Sequence, residues 1–445
     1  MTSRFFRWCA GAVAVAVALG AGACQNALDV NNPQLIPEGD LNDPQLVTVL
    51  MNTSIAALQT SYSEFVWYSA IITDEALNAT NDYRSGELSQ RIVELAQGNA
   101  GPYNQLARYR ATADSVASRI KTLVANPTTD LRLARALAYA GYGYVFLGEF
   151  LCTAPINAGA LITDDSLQVL ALSRLNQAIT IAVAGRSTSP LMADSIANFA
   201  RVGAARASLN LKRYGDAITF ASAVDPAFVI QADYIASANT NLINSLWTRA
   251  NGQNKQIGVH PLMQNLNDPR VRYVTKSVLG HNQLTLLNVP YSPRTFSTFT
   301  YVDSTPFAQN SKIEIASGLE AQYIIAEASI QGGAGGWSTA QITTFVNARR
   351  AYGKETPYDP ATDLFAAVRE EKRRDLYLGA RRLGDLRRYK AQGVGDFFPS
   401  GQHPNKEWGL YGSATCYIIT QDEMSVNPNV ANYVPPSTRP PGYSP

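Results

Sequence analysis

Apolar residues recur every three to four positions through most of this chain, a spacing that predicts α-helices. Over residues 45–62 they fall at Leu46, Val49, Leu50, Ile55 and Leu58 on one face, and residues 63–72 read as a second helix. Residues 102–124 form another, opened by Pro102, whose missing N–H is harmless in a first turn. Asp130 is a capping candidate for a helix over 131–147, and the pattern resumes over 167–184. A further pair is predicted over 318–331 and 339–352. Between 229 and 311 the helical period fades. That stretch is rich in Asn, Thr, Ser, Tyr and Pro, with strand-like pieces at 271–278 and 284–289. The proline-rich tail, 434–445, reads as extended along the surface or disordered.

Two helical segments look like copies of one unit. The first carries Leu137, Ala140, Gly141, Tyr144 and Phe150; the second carries Arg201, Ala204, Ala205, Ser208 and Tyr214. Phe150 and Tyr214 each stand nine residues after a small residue, Gly141 and Ala205. Small residues let antiparallel helices approach, and the aromatic closes the turn. This resembles the tetratricopeptide helix pair, which repeats about every 34 residues, with generic helix packing as the alternative. The fold class expected is mainly α, with tetratricopeptide-like helical repeats, a loop-rich excursion and a few short strands. No Pro/Ser-rich linker divides the chain, so residues 24–445 read as a single domain. A loop-rich excursion as long as 229–311 is uncommon inside a helical body unless it serves a function.

The N-terminus has its own pattern. Arg4 and Arg7 precede an apolar run over 10–19, which closes in the small residues Gly20, Ala21, Gly22 and Ala23. Basic start, short apolar middle and small-residue end predict a signal peptide, residues 1–23. Cys24 follows directly, as at a bacterial lipoprotein processing site, where the new N-terminal cysteine carries acyl chains; the alternative is an ordinary signal with an incidental cysteine. Acyl chains contribute about 0.8 kcal/mol per buried methylene, so two or more anchor stably.

Composition narrows the classes further. Removing Arg4 and Arg7 leaves 35 basic residues against 35 acidic. Such balance argues against nucleic acid as a partner. Beyond Cys9 and Cys24 only Cys152 and Cys416 remain, a candidate disulfide in an oxidising compartment that depends on their Cα atoms coming within bonding range. Enzyme signatures are missing from the sequence. His260, His281 and His403 are widely spaced, and no His-x-x-x-His, Cys-x-x-Cys, Gly-x-Ser-x-Gly or phosphate-cradling Gly-x-x-x-x-Gly-Lys spacing occurs. Gly332 to Gly336 reads as a flexible turn. The acidic pairs Asp74/Glu75 and Asp164/Asp165 read as helix caps or solvated turns rather than a glycosidase pair. No catalytic residue, cofactor or metal site is expected, and no EF-hand spacing points to calcium.

Three segments together resemble the SusD/RagB family of nutrient-binding outer-membrane lipoproteins. Leu28-Asp29-Val30-Asn31-Asn32-Pro33 follows Cys24, as near the start of many mature members. Val368 to Leu376 leads into Gly379-Ala380-Arg381-Arg382 and Asp385-Leu386-Arg387-Arg388, similar to the family's charged helix with its Gly-x-Arg and Asp-Leu-Arg-Arg signature. Tyr417-Ile418-Ile419, Glu423 and Asn427-Pro428-Asn429 resemble its closing element. The resemblance implies a SusD-like fold without chemistry of its own. It implies a surface-exposed, lipid-anchored protein that captures an oligosaccharide or peptide and passes it to a TonB-dependent, SusC-like outer-membrane barrel. A tetratricopeptide-type envelope scaffold without a nutrient ligand is the competing expectation, disfavoured by the excursion. The charged stretch 369–388 reads as one helix, solvated or laced by i,i+4 ion pairs, clamping the repeats to the C-terminal segment.

A sugar site needs aromatic platforms beside side chains that can satisfy hydroxyls. Two regions supply that mixture. The early one follows Trp67 and Tyr68 and holds Asn78, Asn81, Asp82, Tyr83 and Arg84; the excursion holds Asn265, Asn267, Tyr291, Arg294 and Tyr301. Trp67 and Tyr68, also aromatic, read as core.

Overall fold

A computed structural model describes residues 40–78, 83–95, 103–237, 239, 242–251, 257–271, 309–404 and 408–443. The chain divides into two units, 1–46 and 47–445. In the first, the described residues form two 3-10 turns, Asp40–Asn42 and Pro44–Leu46. The second opens with α1, Val47–Ile71. Two helices were expected here and one is found. No Gly or Pro interrupts the stretch. At the expected break the polar side chains are satisfied within the fold: Ser61 Oγ donates to Ala57 O at 2.9 Å, and buried Ser63 Oγ accepts the Ser245 N–H at 3.1 Å.

After β1 (Ala76–Asn78) and α2 (Tyr83–Ser89) come the long helices α3 (Tyr103–Leu123) and α4 (Leu131–Phe150). Asp130 caps α4 as expected, accepting the Arg132 N–H at 2.8 Å; such a cap is worth about 1 kcal/mol. Helix α4 is buried on nearly every face because it is apolar on nearly every face, which places it centrally. It packs between α3 and α5 (Asp164–Ala184), with α1 and α6 (Pro190–Asn210) also against it. Gly141 permits this: a Cβ there would lie 2.5 Å from Leu175 Cγ on α5. The residues that displace α5 from α4 form the hairpin β2 (Thr153–Pro155) and β3 (Leu161–Thr163).

Helix α7 (Tyr214–Ser222) packs on α6, and α9 (Gly318–Ile330) packs on α7. Within the excursion, the described residues form β4 (Val229–Ala232), α8 (Ser245–Asn251) and β5 (Ile257–Val259). β4 pairs antiparallel with β6 (Ile313–Ser317), just ahead of α9. The expected strand pieces at 271–278 and 284–289 lie outside the described residues, Val271 excepted. α10 (Thr339–Tyr352) begins with a Ser338/Gln341 capping box.

The charged stretch departs most from expectation. It is two helices, α11 (Leu364–Asp375) and α12 (Arg382–Ala391), broken where Leu378 (φ 54°) and Ala380 (φ 60°) take left-handed backbone. Nor is it solvated. Lys372, Arg381, Arg382 and Arg388 are buried, and their main partners come from elsewhere in the chain. Arg381 reaches Glu320 of α9 at 2.9 Å, Arg388 reaches Glu327 of α9 at 2.7 Å, and Arg382 reaches Asp74 at 2.6 Å. Lys372 bridges Glu327 at 3.2 Å and Asp385 at 2.7 Å. Arg206 of α6 joins the network through Glu149 of α4 and donates to Ala380 O at 3.1 Å. Arg387 donates to the carbonyls of Gly148 and Glu149 at 2.8 and 2.7 Å, satisfying the open C-terminal end of α4. Burial opposes the charge on Arg206, yet Glu149 and Glu320 outweigh it and raise its pKa. Local pairs do form, Glu370 with Arg373 and Arg374 and Asp385 with Arg388, but the stretch is not solvated.

The C-terminal segment then returns to α4. Cys416 is bonded to Cys152 with Cα atoms 5.2 Å apart, and Tyr417 exchanges backbone hydrogen bonds with Phe150 and Cys152. After α13 (Gln421–Val426), Asn427 and Asn429 donate to Gly159 O at 3.1 Å and Ala158 O at 2.9 Å, holding the β2–β3 turn. The tail runs on extended: Thr438 O accepts the Ser413 N–H, and its hydroxyl accepts the Val93 N–H at 2.8 Å.

Arg206→Met strands Glu149 in the interior and should cost about 3–5 kcal/mol in a denaturant titration, whereas the double change with Glu149→Met should recover most of it. Replacing Cys152 and Cys416 together by Ser opens a loop of 264 residues and should lower stability by about 2–5 kcal/mol, an effect absent when both proteins are compared reduced.

Candidate functional site

The strand pair β1–β5 joins the early region to the excursion through one ribbon. Its register sets Ala76 opposite Val259, Leu77 opposite Gly258 and Asn78 opposite Ile257. The chain leaves Asn78 toward Asn81, Asp82, Tyr83 and Arg84, and it enters Ile257 from within the excursion. The early loop and the excursion's entry into β5 therefore share one end of a buried ribbon, whereas Asn265, Asn267, Tyr291, Arg294 and Tyr301 follow Val259, at its opposite end. Arg84 is exposed on α2, which Tyr83 begins. Asn81, Asp82, Tyr291, Arg294 and Tyr301 lie outside the described residues, as does Cys24. Asn265 and Asn267 are exposed, each in the left-handed backbone that Asn tolerates. Trp67 is core, as expected, with the Arg249 guanidinium 5.0 Å from its ring centre. Tyr68 packs edge-on to Tyr417 at 5.9 Å.

A residue that sequence reasoning passed over stands against α2. Half-buried Trp408 lies against Gly86, where a Cβ would come within 2.1 Å of its ring, so only glycine lets the indole approach. Its signal was a tryptophan in the glycine-flanked run Trp408-Gly409-Leu410-Tyr411-Gly412, with Leu410 exposed. Beneath it the polar groups are tied down. Ser89 Oγ accepts the Asn78 N–H at 3.1 Å and meets His403 Nε2 at 3.2 Å. His260 Nδ1 accepts the Leu262 N–H at 3.2 Å, which leaves the proton on Nε2, 3.2 Å from Tyr411 Oη. Burial, only partly countered by Asp74, lowers the His260 pKa to about 4, so this ring is a neutral strut. Among the described residues, no three His, Cys, Asp or Glu side chains gather as metal ligands.

No family model matches the chain, and no curated protein sequence matches it. Solved structures do. A SusD/RagB family protein from Bacteroides thetaiotaomicron superposes with a TM-score of 0.65 at 14% identity, covering 86% of this chain and 95% of that one. The fold is that of the SusD/RagB family. A SusD-like carbohydrate-binding protein from Bacteroides fragilis gives a TM-score of 0.63 at 13% identity, with 87% and 99% covered. A SusD superfamily protein from Bacteroides vulgatus gives 0.63 at 13%, with 91% and 100% covered.

In this SusD-like fold two carboxylates carry the ribbon. Asp74 and Glu75 were expected in caps or solvated turns; both are buried. Burial alone would raise the Asp74 carboxyl, but Arg382 and Arg373 bring it down to about 2. Glu75 fares otherwise. Burial pushes it up to about 8, against a single Leu378 N–H donated to Oε1 at 2.9 Å, while Oε2 has no partner among the described residues. Its backbone carbonyl accepts from Tyr377 Oη and His260 N, so Glu75 joins β1, β5 and the α11–α12 link at one point. The local sequence gives no sign of this, because the burial comes from segments some 300 residues away.

A carboxyl whose pKa rises on folding stabilises below its unfolded value and loses that contribution as pH climbs through the folded one. Between pH 5 and 8.5 Glu75 should therefore destabilise the protein by on the order of 1–3 kcal/mol. Thermal melts across that range should decline less steeply for Glu75→Gln than for the parent; parallel slopes would show that Glu75 is not the titrating group.

Proposed function

We propose that this protein captures an oligosaccharide, or a peptide, at the ribbon end where the early loop and the excursion meet, and delivers it to a TonB-dependent outer-membrane barrel. The observation that carries the reading is the β1–β5 pairing. It sets the start of the early loop, which carries Asn81, Asp82, Tyr83 and Arg84, next to the excursion's entry into β5, polar at Gln253, Asn254, Lys255 and Gln256, on a body braced by buried charge and with Trp408 as an aromatic surface against Gly86 of α2. Sugar rings stack on such surfaces while amides and guanidinium groups satisfy their hydroxyls. Likeness to a solved SusD-like carbohydrate-binding protein supports the sugar reading. The signal pattern ending at Cys24 supports a lipid anchor in the outer membrane, with the body on the cell surface. The protein acts by binding, with no reaction of its own.

Purified in mild detergent from its native membrane, the tagged protein should bring along a large TonB-dependent barrel in roughly equal amount. Envelope-assembly proteins without a barrel would favour a scaffold instead. Glycan and peptide arrays then identify the ligand. Against a confirmed ligand, Trp408→Ala and Tyr83→Ala should each weaken binding by about three- to tenfold. Undiminished binding in both would move the site away from the ribbon.

A further inference from the structure

The helical body carries a second, unrelated feature. Between α3 and α5 runs a groove of about 450 Å³, bordered by Arg110, Asp114, Lys121, Asn157, Arg174 and Gln177. Three cations face one carboxylate. That carboxylate is already taken: Asp114 accepts from Arg174 Nε at 2.7 Å and from Tyr144 Oη at 2.5 Å, and Arg110 stands 4.0 Å away. Arg110 is only 5% exposed, yet among the described residues its one short hydrogen bond is to the neutral Asn157 amide oxygen at 2.8 Å, and its Nε has no partner there. A buried guanidinium N–H left unpaired is a standing penalty that an incoming anion would relieve. The Asn157 contact is itself built. Asn157 (φ 52°) and Ala158 (φ 57°) hold left-handed backbone in the β2–β3 turn, which Asn427 and Asn429 lock from the C-terminal segment.

We infer that this groove binds an extended acidic peptide. One carboxylate sits between Arg110 and Arg174, and a second reaches exposed Lys121 farther along α3. Eleven residues of helix separate Arg110 from Lys121, about 16 Å, the span of about five extended residues. A sugar fits less well: no lining residue is aromatic, and the neighbouring Tyr144 ring already has Arg110 and Arg174 over it at 5.7 and 5.8 Å. This site is independent of the capture site proposed above.

The test is fluorescence anisotropy on the full chain with a labelled hexapeptide carrying four Asp or Glu residues, beside its Asn/Gln counterpart. The acidic peptide should bind at least about tenfold tighter, and Lys121→Glu and Arg174→Gln should each weaken it by about fivefold or more. Lys121 is exposed, so its variant folds even where an Arg110 variant fails to. Equal binding of the two peptides, or an unaffected Lys121→Glu, overturns the inference. So does displacement of the peptide's role by a carboxylated glycan, seen as oligogalacturonate binding that needs Arg174 while the peptide does not bind.

Discussion

Everything in this fold leans on charge that has been taken out of water and balanced there. Arg206, Lys372, Arg381, Arg382 and Arg388 sit inside the protein against Asp74, Glu149, Glu320, Glu327 and Asp385. Desolvating each group is expensive, and the attraction recovers the expense only at good geometry. The network therefore adds little net stability but tolerates few arrangements. Helices α4, α6, α9 and α12 must come together as they do, or a charge is left bare. Apolar helix stacking alone would permit sliding; the guanidinium forks do not.

That constraint reaches the candidate site by a short route. Arg382 holds Asp74, the next residue is Glu75, and β1 begins at Ala76. The ribbon that links the early loop to the excursion is thus fixed at its root by the C-terminal charged segment. A loop-built recognition surface needs such a base, because irregular segments cannot position themselves.

The helices were legible because their signals are local. Asp130 as a cap, Gly141 as a close-approach point and the ends of α9 and α10 all follow from residues within a turn or two. The errors were also local rules applied where distant residues decide. A second helix was expected from Ser63, but the hydroxyls there find partners within the helix and on α8, and α1 runs on unbroken. Residues 369–388 looked solvated since only neighbours four apart were compared, while the carboxylates that bury them lie up to 308 residues away. Trp408 was overlooked for the same reason: its partner Gly86 belongs to another part of the chain. Of the candidate ligand residues, Arg84 can be placed on its element, and Tyr83 marks the start of α2.

The bond between Cys152 and Cys416 has a consequence for the covalent integrity of the molecule. The enclosed stretch contains the whole excursion, most of the buried cations and the ribbon strand β5. A single backbone cut anywhere inside it produces no loose fragment, only a two-chain molecule of unchanged mass apart from one water. The buried ion pairs then need only keep the halves in register, not keep them from diffusing away. A chain with so long a stretch inside one covalent ring can, on this arrangement, be nicked there without being dismantled.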